Sequence, residues 1–298
     1  MRQVGATTRP RLRAPAIAGT LMVAPAALWL LAFSILPIVL MLVMSFWRST
    51  IFSTEPDWNL DNYLAVIADP TYAYTMLRTV RIAAITTLLS LVLSYPVAWT
   101  MARATGRAKS LLTLAVFLPF WTSYVIRTFV WVPMLGRNGL VSYGLQSIGL
   151  ADISVDGLLY NEGAVYVGLI YVYALFMILP IYISLSKLDP AILEASADLG
   201  AGPVKTFIRV VLPLSMTGVL SGCTMVFLLS CGAYVTPQLL GGTSGQMFGN
   251  VIASQFLGAN NWALGSALSV ALISVVMTVL LFSGRKVGLR QLLSGGEA

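Results

Sequence analysis

Histidine is absent from the 298-residue chain, acidic residues number only 11, and charged residues of both signs make up 10%. Each shortage excludes something. With no histidine and no acid inside any long apolar run, the chain lacks the nucleophile–base sets and metal ligands that a membrane-embedded enzyme needs. The missing intramembrane acids also remove the usual support for proton- or sodium-coupled secondary transport. A secondary transporter should further show an internal repeat, and none is evident. No G-x-x-x-x-G-K-[ST] loop occurs, so ATP hydrolysis is assigned to a separate subunit. The two cysteines, Cys223 and Cys231, are eight residues apart in one apolar run. On a helix that is about 12 Å, too far for a disulfide, and they read as small apolar side chains facing lipid or protein. A soluble domain carries roughly 25% charged residues to face water; this chain cannot, so most of its outside must face lipid.

Apolar length is what the chain has in abundance. Hydrophobic residues make up 58% and the mean hydropathy is +0.85. Crossing a bilayer takes about 20 residues of helix, and no charge occurs between Arg13 and Arg48. A basic start before an apolar stretch also fits a secretory signal, but a signal's apolar part is about 7–15 residues. The longer run reads as a retained first span. Further charge-free runs lie between Arg81 and Arg103, between Lys109 and Arg127 (continuing past Arg127 to Gly136), and between Glu162 and Lys187. The run from Arg209 to Arg285 is too long for one helix, and PQLLGGTSGQMFGN breaks it near its middle. The expected fold is all-α and polytopic, with six spans over residues 16–284, a basic tail at 1–15 and a C-terminal tail at 285–298.

Lysine and arginine set the orientation. With the N-terminus inside, Arg2, Arg9, Arg11, Arg13, Arg103, Arg107, Lys109, Lys187, Lys205, Arg209, Arg285, Lys286 and Arg290 fall inside, thirteen of eighteen. Arg48, Arg78, Arg81, Arg127 and Arg137 fall outside or near outer helix ends, as do Glu55, Asp57, Asp61, Asp69, Asp152, Asp156 and Glu162. Both termini are expected in the cytoplasm. The net charge of +7 is thus distributed as a topology signal, not as a nucleic-acid patch.

The inside loop at 187–213, between spans four and five, reads SKLDPAILEASADLGAGPVKTFIRVVLPLS from Ser186. Asp189 followed by Pro190 suits an N-cap and a first helical residue. The helix is expected to run to about Leu199 and stop at Gly200, which accepts the left-handed conformation of a helix end. Gly202-Pro203 then turns the chain into a second short helix toward Leu212-Pro213. Ile192, Leu193, Leu199, Phe207 and Ile208 are too apolar for a solvated loop and require a groove to fill. The alternative is an amphipathic helix lying on the membrane surface.

Glu194, Ala195, Ser196, then Gly200, then Val210, Leu212 and Pro213 resemble the EAA motif of inner-membrane permease subunits of ATP-binding-cassette (ABC) importers. Ser196 stands where the motif has Ala, and Val210 where it has Ile. LPFWTSYVIRTFVW (Leu118–Trp131), ILPIYISLSKLDP (Ile178–Pro190), YVTPQLLGG (Tyr234–Gly242), NVIASQF (Asn250–Phe256) and WNLDNY (Trp58–Tyr63) are similar to the spermidine/putrescine branch, most of all to its first permease. The resemblance implies the type I importer fold and a coupling helix docked on a cytoplasmic ATPase. Glu194 would be a polar anchor and Gly200 a close-approach corner, with Ala195, Ser196, Asp198, Leu212 and Pro213 in the same coupling segment. It also implies a second, homologous permease, an ATPase dimer that binds ATP and magnesium, an extracytoplasmic binding protein, and no cofactor in this chain.

A polyamine path without carboxylates must hold ammonium groups by aromatic faces, helix-end carbonyls or polar side chains. Trp121, Tyr124, Trp131, Tyr171, Tyr173 and Tyr234 are the candidates, and the alternative for each is the aromatic belt of a membrane interface. Arg127 is the one charge well inside a span. It either faces the path, binds a carboxylate, pins span three to a neighbouring carbonyl, or snorkels outward. An amino-acid-like, opine-like or phosphonate solute is the alternative cargo. Gly218 and Gly222 match G-x-x-x-G, which permits close helix packing within the subunit or against a partner.

Overall fold

A chain crossing hydrocarbon must satisfy its peptide groups internally, which leaves helices or closed barrels. The computed structural model takes the helical solution and describes residues 24–50, 53–147 and 158–294. The basic start (Arg2, Arg9, Arg11, Arg13) and the loop carrying Asp152 and Asp156 lie outside the described residues.

Helix α1 is Ala24–Met44. Pro37 has no N–H to offer, and the helix widens into a π-turn over Leu31–Ile35 just before it. None of α1 is buried, and Leu28, Trp29, Phe33, Ile38 and Leu42 are exposed. Such a surface is stable only in lipid. A two-residue hairpin follows, β1 (Arg48–Ser49) against β2 (Thr54–Glu55), and then α2 (Asp61–Ala68).

Helix α3 (Pro70–Arg103) starts as its sequence dictates: Pro70 occupies the first turn and the Asp69 carboxylate accepts from Thr71 N at 2.9 Å. Thr71, through its side-chain hydroxyl first and its backbone N–H second, holds the Asp69 carboxyl below its ordinary pKa. Helix α4 (Gly106–Phe117) runs into a 3-10 turn, Leu118–Trp121, followed by α5 (Tyr124–Phe129), α6 (Trp131–Leu135) and α7 (Leu140–Ser147). Helix α8 (Glu162–Leu185) is capped by Asn161, whose side chain accepts from Ala164 N at 3.0 Å. Next come α9 (Pro190–Asp198) and α10 (Pro203–Leu214, with a π-turn at Phe207–Val211). The chain ends with α11 (Met216–Cys231), α12 (Val235–Leu240), α13 (Phe248–Leu257) and α14 (Trp262–Ser294). Residues 285–294 continue α14.

Helices α3, α8 and α11 pack on one another and form the centre, around Ile82, Val165, Leu169, Val172, Met177, Ile181 and Val226. Gly218 and Gly222 make the α8–α11 contact possible. A Cβ on Gly218 would collide with Pro180 O and lie 2.7 Å from Ser184 Cβ; one on Gly222 would lie 2.9 Å from Met177 Sδ. The G-x-x-x-G pair therefore packs within the subunit. Cys231 is buried beside Ala83 and Val276, and both cysteines are free. Some of the small polar residues on α3 are satisfied locally, whereas Thr86 Oγ1 and Ser90 Oγ are buried without a partner. Thr75 and Thr79 each donate a hydroxyl to the carbonyl four residues earlier at 2.8 Å.

Four described helices are long and apolar enough to cross a membrane, and six spans result if each of two bent pairs counts as one. The third run is not the continuous helix that its lack of charge suggested. It bends by 100° between Trp121 and Tyr124. Thr122 is extended and its hydroxyl donates to Pro119 O at 2.7 Å, closing the 3-10 turn and ending the first arm. The second bend, 67°, lies at Ser215 between α10 and α11.

Candidate functional site

At one end of the molecule α9 and α10 form a corner. Asp189 caps α9 by accepting from Ala191 N at 2.9 Å, with Pro190 in the first turn. Gly200, at φ +73°, closes the helix: Gly200 N donates to Ala197 O at 2.9 Å and Ala201 N to Ser196 O at 3.1 Å. These are the paired bonds of a Schellman end, which requires the left-handed conformation that glycine adopts without strain. A Cβ at Gly200 would meet nothing within 4 Å, so inside this chain the requirement is conformational and not one of space.

The corner is mounted firmly. Ser196 is buried, and its hydroxyl shares a hydrogen with the Thr206 hydroxyl at 2.8 Å, joining α9 to α10. Leu193 and Leu212 pack on the central core. The ring of Phe207 meets Tyr95 of α3 edge-on at 5.3 Å, and Tyr95 OH shares a hydrogen with buried Ser215 Oγ at 2.8 Å. Sequence reasoning found the corner but missed these ties. Ser196 read there as a conservative departure from alanine, and nothing in a linear sequence pairs it with a threonine ten residues on.

The outward side of the corner is unpartnered. Leu199 is 87% exposed and Val204 70%; Ile192 and Ile208 are also exposed. Ala195, Glu194 and Asp198 face out with them, and neither acid is in an ion pair among the described residues. A shallow groove of about 430 Å³ runs between Ile192, Ala195, Leu199, Lys205 and Arg209. A rigid projection with an apolar crest, two acids and a basic rim is suited to insertion into a complementary cleft.

The aromatic candidates are only partly gathered. Tyr124 and Tyr173 stack at 6.3 Å, and Tyr124 OH shares a hydrogen with Thr236 Oγ1 at 2.9 Å. Tyr173 is buried in the central core. Trp131 meets Tyr171 edge-on at 5.6 Å. Trp121 is 80% exposed at the break, well outside this group, and Tyr234 is half exposed at the start of α12. Arg127 is half-buried and pairs with no acid among the described residues. Its Nη1 donates to Val172 O at 3.3 Å and its guanidinium lies 4.5 Å from the Phe120 ring centre.

An open groove of about 520 Å³ runs between α8 and α11, lined by Phe176, Pro180, Ile183, Ser184, Thr217 and Ser221 among others. It holds none of the sequence-derived path candidates. Its hydroxyls alternate with apolar side chains, a pattern that neither periodicity nor motif marked in advance. At the end opposite the corner, Arg81 pairs with Glu162 at 2.5 Å, and Tyr166 OH donates to the same carboxylate.

No family model matches the chain. It is 36% identical over 254 residues to the spermidine/putrescine transport system permease protein PotB of Escherichia coli K12, spanning 85% of this chain and 92% of that protein. Its identity to PotB of Haemophilus influenzae is 37% over 256 residues, 85% of this chain and 88% of that one. In fold it matches a bacterial ABC transporter involved in the import of the acidic polysaccharide alginate, with a TM-score of 0.68 at 16% identity over 91% of this chain and 94% of that chain. The alginate transporter in complex with its alginate-pentasaccharide-bound periplasmic protein gives 0.66 at 16%, over 89% and 92%.

Proposed function

The chain belongs to the ABC transporter permeases of the spermidine/putrescine type, and on that premise we propose that it forms half of the path by which a polyamine enters the cell. The observation that carries the substrate class is the likeness to two PotB permeases along most of the chain. The coupling assignment draws its support from the α9–α10 corner, whose exposed crest and unpaired Glu194 and Asp198 suit a cleft on a cytoplasmic ATPase. In this reading ATP and its magnesium ion bind to that ATPase dimer, and this chain carries no cofactor. A second homologous permease supplies the other half of the path. An extracytoplasmic binding protein delivers the solute, a reading in keeping with the periplasmic protein in the alginate complex.

The protein is then a multi-pass protein of the bacterial inner membrane with six spans, each bent pair counting as one, and both termini in the cytoplasm. The corner and residues 104–109 face the ATPase, while the hairpin, α2, α12 and α13 face the binding protein. A permease must release what it receives, so weak contacts suffice. Each cation–π contact contributes about 0.5–2 kcal/mol, and Trp121, Tyr171 and Tyr234 are the exposed aromatic faces among the candidates. The guanidinium of Arg127 donates Nη1 to Val172 O and lies against the Phe120 ring, while its Nε is buried without a hydrogen-bond partner. The test is uptake of labelled putrescine and spermidine by the complete transporter in cells lacking other polyamine importers. Entry of an amino-acid-like or phosphonate solute in place of both polyamines would refute the substrate while leaving the importer class intact.

A further inference from the structure

We propose that Arg127 is a positioning residue that holds the break in the third membrane segment, joining both arms of the break to α8. The proposal deepens the permease reading and rests on it. A helix that turns by 100° inside a membrane gives up several peptide hydrogen bonds, and the gap must be held by contacts from outside the helix. The first arm is the more weakly held: no residue of α4 is buried, Leu112 and Val116 lean on the core, and Lys109 lies over the Tyr182 ring at 5.9 Å. The second arm is firmly held. Tyr124 stacks on Tyr173, and Tyr124 and Thr128 both share hydrogens with Thr236 of α12. These contacts fix α5, yet none of them reaches back across the break.

Arg127 does. It stands on the second arm, its guanidinium carbon lies 4.5 Å from the ring centre of Phe120 on the first arm, and its Nη1 donates to Val172 O of α8 at 3.3 Å. One planar group thus touches three segments. Lysine cannot substitute, because a point ammonium has no flat face to lay on a ring while it donates sideways. A charge at this depth is costly and is kept where it has a specific partner. Arg127 is half-buried, and its head is engaged by Val172 O and the Phe120 ring. Val172 lies thirteen residues before the end of α8, about 20 Å along the helix. The break is therefore remote from the α9–α10 corner, and loosening it leaves the corner's contact intact.

The test uses the complete transporter with Cys223 and Cys231 replaced by alanine and Ser123→Cys as a reporter, since Ser123 sits exposed at the break. Maleimide labelling in membranes needs no substrate and reads the break directly. Arg127→Lys, Arg127→Met and Phe120→Leu should each raise the labelling rate severalfold, and Phe120→Tyr should not. Uptake should fall roughly fivefold, the order expected for loss of one such contact, while ATP hydrolysis stays within about twofold. The combination of Phe120→Leu with Arg127→Met should be no worse than either alone, because both remove one interaction. Wild-type labelling and uptake in Arg127→Lys, unchanged labelling in Phe120→Leu, or additive effects in the combination would each overturn the proposal. Should Arg127→Met fail to accumulate, Arg127→Lys and Phe120→Leu decide. A wild-type transporter that imports no polyamine would refute the substrate and leave the labelling result standing.

Discussion

Replacing Gly200 tests whether the corner works through its backbone conformation. At φ +73° an L-residue with a Cβ pays about 1–2 kcal/mol, and asparagine pays less because its short amide tolerates the left-handed region. A β-branched residue pays more than alanine. The space around a Cβ is open, so no steric term from this chain adds to the cost. Relief of the strain requires breaking the Gly200–Ala197 and Ala201–Ser196 bonds, worth about 0.5–1.5 kcal/mol each, and that releases Leu199 and Asp198 from their places. A loss of about 2 kcal/mol is small beside the burial that holds the apolar helices in lipid, so the protein should reach the membrane at normal levels. It is large for a docking helix, however, where 1.4 kcal/mol is a factor of ten in an equilibrium constant. The expected order for co-purifying ATPase and for uptake is Gly200 at least equal to Asn, then Ala, then Val. If Gly200→Val keeps full assembly and transport, the conformational argument is wrong. If Asn, Ala and Val fail equally, the glycine is needed for clearance against the partner and not for its φ.

Three further outcomes follow from the same structure. Single cysteines at Asp61 and Lys205 should be labelled from opposite sides of the membrane; labelling of both from one side refutes the six-span topology. Ser196→Ala and Thr206→Ala should each weaken ATPase retention by about 1 kcal/mol, and together by little more than either alone, because they share one hydrogen bond. Full additivity would mean that the pair does not couple α9 to α10. Gly218→Leu should sharply lower the amount of folded protein in the membrane, since even a Cβ there meets Pro180 O and Ser184; normal levels with normal thermal unfolding in detergent would show that α8 and α11 can separate.

The features legible in the sequence are those set by local chemistry. Asp189-Pro190 and Gly200 act within one turn of where they stand, and Asp69-Pro70 and Asn161 do the same at the starts of α3 and α8. Charge-free runs marked the crossing segments because lipid tolerates little else. The break at Thr122-Ser123 was hidden, because the residues on both sides are equally apolar and only the geometry after Pro119 separates two arms. The burial of the path candidates was not legible. Tyr173 and Trp121 are both aromatic in an apolar segment, yet one is buried and the other 80% exposed. That difference depends on which neighbours fold against them, and no pattern within a single helix encodes it.

The same contacts decide which parts can move together. Glycine at 218 and 222 lets α11 lie on α8 at backbone distance, and Tyr95 ties α3 to Ser215 at the root of α11. Densely packed interfaces of this kind shift as units because they cannot deform continuously. The corner is fixed to that unit through Phe207 on Tyr95 and Leu193 in the core, so a push on α9 meets no soft joint before it reaches the α8–α11 groove. Helix α4, in the first arm of the third segment, by contrast has no buried residue and touches the centre through Leu112, Val116 and Lys109, the last over the Tyr182 ring. Displacement of the central unit therefore changes its distance to that arm, and the contacts at Phe120, Arg127 and Val172 are the ones strained first.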